Sequence, residues 1–267
     1  MTITSLDDAA WDSPWRSRPV GEKVALSLGL VATALCTPAW PGTLFVSVVA
    51  VVAILLLARI RPKVLWQAIS APLVFLLLGG VSVLVSVGGS PDPTAVWWQG
   101  GPFSIGPAST RQAANLFAHG VAGTLALMVL ALTTPMVDLL TWMRRLRVPD
   151  PLLEIASLTY RLIFVLLDTV VASHQAQRAR LGDAPSGPWH GLRRRWENAA
   201  ALMGSVGTRA WSRANRLNDG LVNRGFESAL LTLPVQRSGS WRFRAITVLV
   251  IAGSWAACWP IAGRLWR

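Results

Sequence analysis

Charge is what this chain has least of. Asp, Glu, Lys and Arg make up 14% of its 267 residues, where an ordinary soluble domain carries about a quarter. Only two lysines occur, Lys23 and Lys63, and neither closes a GxxxxGKS/T stretch. The chain therefore lacks the loop that cradles nucleotide phosphates, and any ATP dependence must come from a partner. Cys36 and Cys258 lie far apart without a CxxC partner, which argues against a disulfide framework; both read as small apolar residues packed in helices. His119, His174 and His190 are scattered, with no pair at ligand spacing on one helix. No metal site and no cofactor are expected.

Apolar runs take the place of charge. The chain is 52% hydrophobic, and five segments (24–36, 44–60, 72–87, 113–133 and 245–261) are nearly free of charge. Several are shorter than the roughly 20 residues of an average span, but each lengthens when flanking small or aromatic residues are counted. All five read as membrane helices. The net charge of +12 could point to nucleic acid, so the placement of the arginines has to decide. With the N-terminus inside, every Lys and Arg except Arg111, Arg264 and Arg267 falls on the cytoplasmic side. That is the positive-inside pattern, and no nucleic-acid partner is expected. Trp40, Trp97, Trp98, Trp255, Trp259 and Trp266 then sit at outer ends and Trp66 and Trp241 at inner ones, as indoles do at the bilayer interface. Asp7, Asp8 and Asp12 occupy the start where a signal peptide would carry basic residues, so the N-terminus is expected to be retained.

The segment 152–172 is apolar enough to pass for a sixth span, yet Glu154, Arg161 and Asp168 interrupt it every seven residues. Such spacing places them on one helical face, continued by Gln175. Charges at mid-bilayer are costly, which favours an amphipathic helix at the cytoplasmic surface; the alternative is a span with its polar face turned inward. Prolines 149, 151, 185, 188 and 234 divide the wider region into a short helix, 136–146, and two long ones. The second, over about 189–231, carries Leu192, Trp196, Ala199, Met203, Val206, Ala210, Ala214, Leu217 and Leu221 at intervals of three and four. Such a series predicts one continuous buried face. Arg209, Arg213, Arg216 and Arg224 lie on another face. A ridge of that kind is commonly a solvated surface or a contact for anionic lipid headgroups.

The ends of the two long helices are more specific. One reads Gln177-Arg178-Ala179-Arg180-Leu181-Gly182 and the other Leu221-Val222-Asn223-Arg224-Gly225-Phe226. Each sets an arginine in the last turn beside a glycine that can end the helix, where its fork of donors can meet a carboxylate on another protein. Two such ends, separated by one hairpin, would make a two-pronged plug. The chain resembles the cobalt-transport permease family, the T (transmembrane coupling) components of energy-coupling factor (ECF) importers. Ala179-Arg180-Leu181-Gly182 and Asn223-Arg224-Gly225-Phe226 look like the family's two Ala-Arg-Gly-type coupling motifs. Leu181 is inserted before Gly182, and Asn223 stands where Ala is usual. Leu158-Thr159-Tyr160-Arg161 with Asp168, and the Leu6-Asp7, Pro19 and Glu22-Lys23 run, support the likeness.

The resemblance implies an all-α integral membrane fold. Residues 1–21 would be a cytoplasmic segment, 22–134 four membrane helices, 135–242 a cytoplasmic coupling domain and 243–267 a last membrane helix. It also implies a multi-pass protein of the cell membrane that is not an enzyme, with three kinds of partner: two ATP-binding cassette subunits, a substrate-capture membrane subunit and the lipid bilayer. Ala179, Arg180, Gly182, Asn223, Arg224 and Gly225 would couple to the ATPases, and Glu154, Arg161 and Asp168 would form a supporting polar stripe. The cargo would be cobalt ion, or in the alternative a vitamin, since the coupling motifs are common to both. A membrane-bound lipid-modifying enzyme is a weaker reading of Asn218-Asp219-Gly220, because Asp219 and Glu227 have Arg216 and Arg224 among them rather than further carboxylates to hold a metal. Arg111, Asn115 and His119 share one face of the fourth span, where a lone histidine reads as a packing residue rather than a ligand. The loop 88–107 is too polar and broken to span, and is expected outside with a short hairpin.

Overall fold

The computed structural model describes residues 3–37, 39–87, 98–100, 103–180, 188–225 and 239–265. They form nine α-helices: α1 (Ile3–Asp12), α2 (Val20–Cys36), α3 (Leu44–Val52), α4 (Pro62–Leu84), α5 (Pro107–Ala131), α6 (Met136–Met143), α7 (Asp150–Ala179), α8 (Pro188–Val222) and α9 (Trp241–Leu265). Three short strands, β1 (Ser86–Val87), β2 (Trp98–Gly100) and β3 (Phe103–Ile105), make a small antiparallel sheet in the order β1-β3-β2. The expected hairpin is thus present as β2–β3, although 88–97 and 101–102 lie outside the described residues. The fold is helical and of membrane type. Two compact units divide it, residues 1–142 with 235–267, and residues 143–234.

In the first unit α5 is the central element, with α1, α2, α3 and α4 all packed on it. Its start is set by Pro107 at the first helical position, preceded by extended Gly106, whose N–H donates to the Ser109 hydroxyl at 3.2 Å. Leu26, Leu30 and Ala34 of α2, Val46 and Ala50 of α3 with Ile54 in the π-helical turn that continues it (Ala53–Leu57), and Ala122, Leu125, Ala126 and Val129 of α5 form the core. Each set repeats at three- and four-residue steps, so each helix contributes one stripe. Small side chains on α5 let its neighbours approach closely. A Cβ on Gly120 would meet the Leu76 side chain of α4, just as one on Gly29 of α2 would meet Ile251 of α9.

Outward, the same helices are apolar and bare. Phe75 is 75% exposed, Leu35 71% and Leu56 69%, a surface that water does not tolerate at this extent and hydrocarbon does. Among the described residues four helical segments are long and apolar enough to cross a membrane: Trp40–Leu57, Pro62–Leu84, Pro107–Ala131 and Asp150–Ala179. Three of these correspond to expected spans. The third expected span starts ten residues earlier than 72, because Pro62 opens a helix that runs through Pro72, and it stops at Leu84 before β1. The first, α2, has 17 residues, at the short limit for a span. The fifth lies on α9, whose side chains are described only as far as Trp255. Asp150–Ala179 is the segment expected at the surface, and length and composition alone also qualify it to cross. Cys36, expected to be packed, is exposed at the end of α2, because it lies off the buried stripe of Thr33, Ala34 and Thr37.

Polar bonds tie the helices where apolar packing stops. Lys23 is 0% exposed, and its Nζ donates to the Thr133 carbonyl at 2.8 Å, just past the end of α5. There it meets the negative end of the helix dipole. It falls on the buried stripe with Ser27 and Leu30. Ser27 Oγ donates to the Ala126 carbonyl at 2.7 Å. Arg244 Nε donates to Glu22 Oε1 at 2.7 Å and so fastens α9 to α2, while Trp15 meets Phe243 edge-on. Gly120→Val should force α4 from α5 and cost about 1–3 kcal/mol. Gly123→Val, with nothing within 4 Å of its Cβ, should cost less than about 1 kcal/mol. Thermal unfolding of the purified chain in detergent reads the difference, and equal losses would contradict the close approach.

Candidate coupling surface

The second unit is built on α7 and α8. Prolines start both: Pro149 and Pro151 at the head of α7, Pro188 at the first position of α8. Three contacts give their mutual direction. Gln177 Nε2 donates to the Asn198 carbonyl at 3.4 Å, Arg209 Nη1 to Ser173 Oγ at 3.4 Å, and Leu162 and Leu166 face Ala210, Ala214 and Leu217 across a cleft. Moving back along α7 is moving forward along α8, so the pair is antiparallel. The cleft, of about 350 Å³, is also lined by Gly207, Trp211 and Arg213.

The arginines at the helix ends are held by backbone geometry and left open at the side chain. Arg180 is the C-cap of α7; its N–H donates to the Ala176 and Gln177 carbonyls, both at 3.2 Å. On α8, Asn223 N–H donates to Asp219 O, Arg224 N–H to Leu221 O and Gly225 N–H to Val222 O, at 2.9, 3.1 and 3.0 Å. Gly225 has φ +68°, the left-handed conformation in which a helix stops cheaply on glycine. Ala179, Arg180, Asn223, Arg224 and Gly225 are all exposed. Among the described residues neither the Arg180 nor the Arg224 guanidinium has a hydrogen-bond or ion-pair partner. Leu181, Gly182 and Phe226 lie outside the described residues.

The two prongs do not stand side by side. Gln177 lies against Asn198, and Arg224 follows 26 residues further along α8, roughly 40 Å at 1.5 Å per residue. Arg180 and Arg224 therefore mark opposite ends of the pair. Glu154, Arg161, Asp168 and Gln175 do share one face of α7. At 100° per residue it lies about 140° round from the face of Leu162, Leu166, Ser173 and Gln177 that meets α8. Arg161 and Asp168 are exposed on it.

The expected continuous buried face of α8 is not buried within the chain. Leu192 is 54% exposed, Trp196 69% and Met203 76%, since α7 covers the apolar arc only around the cleft. The histidine is elsewhere: His119 on α5 places Nδ1 2.8 Å from the Asn115 carbonyl and Nε2 3.3 Å from the Thr37 carbonyl. A neutral ring can donate to only one of these. Among the described residues no three His, Cys, Asp or Glu side chains gather as a metal site.

Comparison with known proteins matches the model of the cobalt transport protein family (CbiQ) over residues 12–232. The chain belongs to the CbiQ cobalt transport protein family. A cobalt transport protein CbiQ of Rhodobacter capsulatus is 37% identical over 90% of this chain and 91% of its own length. Another, of Salmonella typhimurium, is 27% identical over 80% of this chain and 93% of its own. A putative fused cobalt transport protein CbiMQ of Methanocorpusculum labreanum is 28% identical over 77% of this chain and 36% of its own length. As a member of this family the chain is a multi-pass membrane protein of a transport system. Its family match includes both arginine-bearing helix ends, 179–182 and 223–225.

Gly225→Ala should strain the left-handed turn by about 1 kcal/mol. Faster amide exchange over 223–225 in the purified chain is the expected result. Unchanged exchange would mean the turn does not depend on that φ.

Proposed function

We propose that this chain is the T component of an ECF-type ABC importer, a non-catalytic permease subunit that couples ATP hydrolysis in partner subunits to uptake of cobalt ion. The observation that carries the reading is the pair of bare guanidinia, Arg180 and Arg224, at opposite ends of one antiparallel helix pair. A planar donor fork at a helix end suits a carboxylate on a partner, and two forks roughly 40 Å apart along the pair suit two separate ATPase subunits better than one. Movement of those subunits would then turn α7 and α8 as a lever. Cobalt as cargo is supported by the printed names of the Rhodobacter capsulatus and Salmonella typhimurium relatives, both cobalt transport proteins. The fused CbiMQ relative supports a second membrane subunit as the partner that captures it.

In this reading α7 and α8 are cytoplasmic and lie outside the hydrocarbon core, and the N-terminus is also cytoplasmic. The alternative, α7 as a span, would carry the cleft at Leu162 and Leu166 to mid-bilayer, and with it the Arg213 that lines it. Guanidinia at that depth are expensive. The arginine distribution favours the same orientation.

Co-purification in detergent with the ATP-binding subunits tests the coupling role. The wild type should hold them, and Arg180→Glu with Arg224→Glu should release them while the chain stays folded. Retention by the double variant would sink the proposal. His119, by contrast, has its N–H partner in a carbonyl of its own bundle, at Asn115 or Thr37. His119→Ala should leave cobalt uptake within about twofold of wild type, a small effect for a packing change; abolished uptake with normal assembly would give that histidine a place on the cargo path.

A further inference from the structure

The apolar arc of α8 is bare over its first half, and its flanks are basic. Leu192, Trp196 and Met203 are exposed and lie within about 40° of one another round the helix at 100° per residue. Arg193 borders that arc on one side and Arg195 on the other; both are exposed. The helix as a whole carries six arginines against Glu197 and Asp219, of which Glu197 is already engaged by Arg193 at 2.9 Å. The arc continues into the cleft at Gly207 and Ala210, where small residues leave space beside Arg213 on the arc's flank.

We infer that this half of α8 is a binding surface for the anionic phospholipid headgroups of the bilayer. An apolar stripe holding a tryptophan, edged on both sides by arginines, is the arrangement of a helix lying in the headgroup plane. The stripe enters the acyl boundary while the guanidinia reach phosphates on either side. The net positive charge of the helix favours anionic over zwitterionic lipid, by severalfold for each arginine near the surface. The inference rests on α7 and α8 lying outside the hydrocarbon core, and it involves neither Arg180 nor Arg224.

Spin-label accessibility of the full chain in nanodiscs tests it. Met203→Cys is labelled in a Cys36→Ser, Cys258→Ser background, with Ser205→Cys on the polar face as reference and no ATPase subunit present. In discs containing phosphatidylglycerol the label at 203 should favour oxygen over a water-soluble nickel chelate, while the label at 205 remains accessible to nickel. In pure phosphatidylcholine, in 1 M salt (a screening length of about 3 Å), or with Arg193→Gln and Arg195→Gln, the lipid-facing population should fall by about tenfold or more. The salt arm keeps both arginines, so it stands even if the arginine changes disturb folding. A label at 203 equally open to nickel in both lipids overturns the inference. So does shielding that ignores lipid charge and salt, and so does shielding that appears only when ATPase subunits are added, which would make the arc a protein interface. Each of these failures leaves the co-purification result unaffected.

Discussion

The seam between α2 and α5 is the interaction on which the first unit depends. Hydrocarbon offers helices no hydrophobic reward for meeting, so close packing and interhelical hydrogen bonds have to hold them together. Ala122 and Ala126 allow the approach, and Ser27 and Lys23 use it by donating to carbonyls at and beyond the end of α5. Every other packed helix of the unit is referred to one of these two: α3 and α4 lie on α5, and α9 lies on α2 through the Glu22–Arg244 pair. A fully buried ammonium is tolerable there because it sits on oxygen at a negative helix end.

The second unit follows the opposite rule. Its helices touch through one cleft and a few side-chain bonds, and much of their apolar surface is uncovered. Leu153 is its only buried hydrophobic residue among those described. A unit of this kind is not a self-sufficient core; its stability in place depends on what it binds. The bare apolar arc, the unpaired arginines at the tips and the polar stripe on the far face of α7 are three different surfaces, and they need three different kinds of neighbour.

Much of this was legible in the residues. Scarcity of charge and long apolar runs announce a membrane protein, because backbone buried in hydrocarbon must be helical or closed. Pro149 and Pro188 mark helix starts, and Gly225 marks a helix end, for reasons local to each residue. Pro62 and Pro107 open helices too, but the apolar runs set those expected spans later, at 72 and 113. The arginines at the helix ends were readable for reasons equally local. Lys23 was not. A lysine near a helix end has the same sequence context whether it meets water or a buried carbonyl, and only the fold brings Thr133 to it.

The sequence by itself determined that α8 has an apolar face and that arginines stand at the ends of α7 and α8. Amphipathicity is a property of one helix and follows from its spacing. Whether that face is buried, and whether the two arginines point together or apart, belongs to pairs of helices. The antiparallel crossing that covers only the stretch around Gly207 and Leu217 decided both. Periodicity says which side of a helix avoids water, and tertiary structure says what it meets instead.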